Sequence, residues 1–182
     1  MHSKVSLATS IVLGLLLCSC LPPSDNPVDE SGGSTVSVSP YLETWTLIEI
    51  AGESTDPGLS VEVVDNSGTY EARVSENEET TTEIFELAEV SGKIIVSLKR
   101  KENNWDILEA ELQDGGETLL VRSMDMETVK AAIEAETLDG YILKWTDREK
   151  LLRITASETD LRNYIANETN LFVDLWKFEK SQ

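Results

Sequence analysis

The side chains best equipped for chemistry are few. Cys18 and Cys20 flank Ser19 at the end of an apolar run, just ahead of Leu21-Pro22-Pro23. Such a thiol pair can serve redox exchange, metal binding or covalent modification. A disulfide needs Cα atoms at least about 4.4 Å apart with converging Cβ vectors, and a two-residue step ahead of any globular segment has no fold to hold that geometry. A metal site would need two further ligands, and none stands nearby: the single histidine is His2. The other reactive groups are carboxylates, 34 in all. Pairs such as Asp106 with Glu109, or Asp125 with Glu127, have the residue types that a glycoside hydrolase uses as acid and base, yet their abundance singles out none. The run Asp65 to Glu71 sets oxygen donors at alternate positions, loosely like a calcium loop, but it lacks the full spacing, and a tight turn accounts for Gly68. No catalytic residue, metal site or cofactor is expected.

The segment upstream explains the cysteines. His2 and Lys4 make a short positive start, and Val5 to Leu17 is an apolar stretch of 13 residues. That is too short to span a bilayer, which takes about 20 apolar residues, and has the layout of a secretory leader. Leu17-Cys18-Ser19-Cys20 resembles the bacterial lipobox, in which an aliphatic residue three places back and a small one immediately back precede the cysteine that is lipidated. The resemblance implies a lipidated Cys20 as new N-terminus, with Cys18 lost in the leader. Proteins of this kind carry several acyl chains, which makes anchoring stable where a single chain is marginal. Leu21 follows the cysteine, and no aspartate stands there to argue for inner-membrane retention. The implied location is the bacterial cell envelope, lipid-anchored, with the outer membrane favoured where one exists.

Loss of residues 1–19 changes the inventory. The mature chain has no histidine and no free thiol; with Lys4 gone, 14 cations face 34 carboxylates, a net charge of −20. Serine–histidine and cysteine–histidine nucleophilic catalysis are excluded, as is thiol redox work. Nucleic acid is an unsuitable partner, because its binding rests on Lys and Arg neutralising phosphates. A basic envelope protein is compatible with the acidity, and a solvated acidic surface needs no partner at all.

The elements follow from composition and period. Residues 20–40 hold four of the five prolines, a Gly32-Gly33 pair and no aromatic residue, and so read as the lipidated cysteine followed by a flexible linker. Tyr41 to Gln182 is one domain of 142 residues with all four tryptophans. Its hydrophobic period is mostly two. In Thr69 to Val74, for example, Tyr70, Ala72 and Val74 share one face, as in a half-buried strand. Further strands are expected over 43–50, 59–65, 81–90, 93–100, 105–113, 118–124, 141–145, 151–155 and 171–180, joined by short turn signals such as Ser91-Gly92. The connections predict an antiparallel sheet. Two segments shift to a period of 3.6: a helix capped by Asp125 and running to about Glu136, and one over Ser157 to Glu168 that opens on a Ser-x-x-Asp cap.

A tryptophan strand at the start, "YLETWTLIEI", a late capped helix and a closing aromatic strand, "LFVDLWKFEK", resemble the calycin or lipocalin-like barrels. Trp45 matches the tryptophan of the lipocalin opening motif, while Glu43 stands where that motif has glycine. The resemblance implies a mainly β fold: one antiparallel barrel of about eight to ten strands braced by two short helices. About eight strands enclose either packed side chains or one small ligand. The candidates for the interior are Trp45, Tyr70, Phe85, Trp105, Trp145 and Phe178. The expected role is binding of a small apolar ligand. The alternatives are a ligand-free structural or protein-interaction role in the envelope and, further off, a carboxylate-based hydrolase.

Overall fold

The computed structural model describes residues 21–28, 36–55, 58–67, 69–77, 79–100, 104–144 and 150–181. Cys20 and Trp145 lie outside them. Among the described residues eleven strands and two α-helices follow one another: β1 Thr44–Ile50, β2 Glu53–Ser54, β3 Leu59–Asn66, β4 Thr69–Glu76, β5 Glu79–Val90, β6 Lys93–Lys99, β7 Trp105–Gln113, β8 Thr118–Met124, α1 Met126–Glu134, β9 Gly140–Lys144, β10 Lys150–Ile154, α2 Glu158–Asn167 and β11 Phe172–Lys180.

Eight strands close an antiparallel barrel in the order β11-β8-β7-β6-β5-β4-β3-β1, and β1 pairs back onto β11. Closure leaves the barrel without unpaired edges. The expected mainly β barrel with two helices is therefore the observed fold, and it is consistent with a lipocalin-like barrel. Tight turns set the register. At the β5–β6 hairpin Val90 faces Lys93, and both intervening residues have positive φ, Ser91 at 52° and Gly92 at 80°. That is the geometry of a two-residue turn matching the strand twist.

The other two long strands do not join the barrel. β9 and β10 form a separate hairpin, which packs with α1 and α2 as an outer layer on the barrel wall. Asp125 caps α1 by accepting from the Thr128 amide at 3.0 Å and hydroxyl at 2.6 Å. Ser157 caps α2 by accepting from the Asp160 amide at 3.2 Å. On α2, Leu161 and Ile165 are completely buried. They meet Val129 of α1, Ile154 of β10, and Ala88, Ile95 and Ile107 of the barrel wall in one core. Each such side chain contributes about 1.5–3 kcal/mol by leaving water. The wall also holds α2 by its C-terminus, where Lys93 of β6 donates to the carbonyls of Ile165 and Glu168 at 3.1 and 3.0 Å. Gly140 opens β9 where no side chain fits, since a Cβ there would stand 2.6 Å from the Arg153 carbonyl oxygen and 2.5 Å from Ile133 Cδ1.

The linker expected over 20–40 is not a free tether in its described parts. Ser24 pairs by backbone with both Trp105 and Ile154, and so stitches β10 to the start of β7. Asp25 pairs with Arg153 at 2.5 Å, Asn26 donates to the Ala156 carbonyl at 2.8 Å, and the Val28 amide donates to Ser97 Oγ at 2.8 Å. Further on, Val36 and Val38 are buried against Phe85 and Leu87. Composition misleads here because low average hydrophobicity does not register a few apolar residues that each find a prepared pocket.

Candidate functional site

The inward face of the barrel follows from the pleat. On β4 the inward positions are Ala72 and Val74; on β5 they are the odd positions from Thr81 to Leu87, and on β7 Leu108 and Ala110. Many of these side chains are small or β-branched, Val61, Val63, Val96 and Val121 among them, and they cannot fill an eight-strand interior. What remains is a cavity of about 150 Å³, lined chiefly by apolar groups. An apolar cavity of about that size, engineered into another protein, stays dry and takes up benzene.

One end of the barrel is closed. Val36 and Val38, followed by the 3-10 turn Ser39–Tyr41, cross the end at which β1 starts. The Trp45 indole Nε1 donates to the Tyr41 carbonyl at 3.2 Å, tying that turn to the first barrel strand. The Tyr41 side chain reaches the cavity, and burial, with Glu111 adding to it, pushes its phenol above the ordinary value.

Polar lining gathers at the other end, where β6 passes to β7. Thr81, Glu83 and Arg100 line the cavity there, all half-buried. Arg100 Nε donates to Asp106 Oδ2 at 2.5 Å, and Asp106 is itself buried. Burial pushes the Asp106 carboxyl above the usual aspartate range, and the charge and hydrogen bond of Arg100 offset only part of that effect.

Of the six aromatic residues expected inside, Trp45, Phe85 and Phe178 line the cavity. Tyr70 stacks on Phe85 with ring centroids 5.8 Å apart and packs with the closing segment. Trp105 is a correction: it belongs to the outer core with α1, α2 and the β9–β10 hairpin. The reason is that β7 is covered on both faces near its start, so Trp105-Asp106-Ile107-Leu108 is buried throughout and its alternation cannot be read. Trp176, not among those expected, also lines the cavity.

The carboxylate pairs do not converge. Asp106 bonds Arg100, whereas Glu109 lies within 3.4 Å of Arg122, alongside Glu111 and Asp174. Asp125 caps α1, and Glu127 is exposed beside Lys130. In the calcium-like run, Asn66 donates to Glu71 at 3.0 Å across the β3–β4 hairpin. Among the described residues no three His, Cys, Asp or Glu side chains gather as metal ligands would.

Sequence reading missed the closing segment and the Arg100–Asp106 pair. A signal for the first existed in the period-two run Val36-Ser37-Val38-Ser39, hidden by its proline and glycine surroundings. For the second there was none, because Arg100 falls at the end of its strand. No protein-family model, curated protein or solved structure matches this chain.

Proposed function

We propose that this protein is a lipid-anchored binding module of a bacterial envelope, tethered through Cys20 and holding one small apolar ligand inside the barrel. The observation that carries this reading is the apolar cavity of about 150 Å³, closed at one end by Val36–Tyr41. A core without ligand gains by filling such a space, since a void forfeits contacts worth about 24 cal/mol per Å³. The protein acts by binding rather than by catalysis, in keeping with carboxylate pairs that point apart. The docking of Leu21 to Val28 on the barrel wall supports a short connection to the membrane, because the packed domain then begins one residue after Cys20.

The test is a titration of the chain from residue 20 onward, carrying Cys20→Ser, with the neutral probe N-phenyl-1-naphthylamine. One saturable site per chain is expected, with loss of tryptophan emission as the probe takes up energy from Trp45 and Trp176. A linear, unsaturable response would overturn the ligand reading and leave the ligand-free interaction role.

A further inference from the structure

The charge around the cavity rim carries the reading one step further, to the head group of the ligand, and this step rests on the cavity reading above. The lining contains one guanidinium, Arg100, and it is taken: Asp106 holds its Nε at 2.5 Å from a buried position. The lining also contains Glu83, which has no ion pair among the described residues. The two are close in register. β5 and β6 pair as far as Phe85 with Leu98, and Glu83 and Arg100 each lie two residues beyond that pair, both in the cavity lining. β4 adds a third carboxylate at this end. Glu76 continues the face of Ala72 and Val74, is buried, and its Oε2 has no hydrogen-bond partner among the described residues. Two carboxylates, Asp106 and Glu83, thus accompany the single cation of the lining, and Glu76 stands four residues along β4 from Ala72, the partner of Glu83.

An anionic ligand head would have to compete with Asp106 for Arg100 while facing Glu83. A cationic head meets a carboxylate in a partly desolvated setting, where a charge-assisted hydrogen bond is strongest. We infer that the cavity takes an amphiphile with an apolar body and a protonated amine head, the body among the valines and aromatic rings and the ammonium at Glu83.

Competition against N-phenyl-1-naphthylamine at neutral pH tests this with three probes of one chain length: octylamine, octan-1-ol and octanoate. Octylamine is expected to displace the dye at a concentration at least about tenfold below octanoate, the ratio that one charge-assisted hydrogen bond supplies. Glu83→Gln should bring the two within about threefold of each other, and Glu83→Lys should reverse their order. A far-UV circular dichroism spectrum and urea midpoint matching the wild type show that each variant is folded. Octanoate binding as well as octylamine would overturn the amine assignment and leave the cavity intact. Absence of any dye binding would overturn the assignment together with the cavity reading.

Discussion

The two faces of the barrel wall are packed to different ends. On the outside, Ala88, Ile95 and Ile107 meet α1, α2 and the β9–β10 hairpin in a core where Val129, Ile154, Leu161, Ile165 and Leu171 have no exposure at all. On the inside, a second core of Trp45, Leu47, Leu119 and Phe178 stands beside a cavity that Val61, Val63, Ala72, Val74, Val96 and Val121 help to line. Usually the interior of a small barrel is the stabilising core. In this protein the outer layer shares that work with the interior cluster around Trp45 and Phe178, which leaves room for a hollow beside it.

The contrast is broken most strongly from the outside. Leu161→Ala removes a completely buried side chain from the outer core, and urea unfolding should show a loss of about 2–5 kcal/mol. Dye binding per folded molecule should be unchanged. A loss below about 1 kcal/mol would place the main support of the fold inside the barrel instead.

Filling the cavity is the converse experiment. Ala72→Phe puts a ring into the space, so dye affinity should fall at least tenfold, about 1.4 kcal/mol. Stability should change by less than about 1 kcal/mol, since the ring occupies existing room. If this variant unfolds as readily as Leu161→Ala, the interior is packed and not hollow.

The smallest effect sharpens the role of the outer layer. Asp125→Ala removes the α1 cap and should cost about 1 kcal/mol at neutral pH. The Thr128 hydroxyl, helped by the amides of Thr128 and Glu127, holds the Asp125 carboxyl below the usual aspartate value against the opposing effect of burial. A carboxyl whose folded pKa is depressed adds stability above its unfolded value and loses it as pH falls toward the folded one. The difference between wild type and Asp125→Ala should therefore shrink as pH drops below the ordinary aspartate range. A difference that persists at low pH would mean that Asp125 acts through packing, not through its charge.

Legibility in the sequence varied with how each segment is covered. Where one face of a strand meets solvent, as in β3 and β4, alternation shows which side chains point inward. Where both faces are covered, as at the start of β7, it does not, and Trp105 was assigned to the wrong side. The β9–β10 hairpin read as two more barrel strands because its local pattern is that of any strand, and pairing partners are not written locally. The closing segment Val36–Tyr41 and the strap Leu21–Val28 were hidden by composition, since a few anchored residues suffice to hold an extended chain that has backbone partners.

By itself the sequence determined a chain with no imidazole or thiol after Cys20, a strongly acidic surface, an antiparallel sheet and two capped helices. These rest on residue type and near-neighbour spacing, which act within a few residues. Only the tertiary structure decided that eight strands close, that the interior is hollow, and that Arg100, Asp106 and Glu83 share one rim. Each of these depends on which distant segments meet, and that is settled by register and side-chain volume summed around the whole barrel.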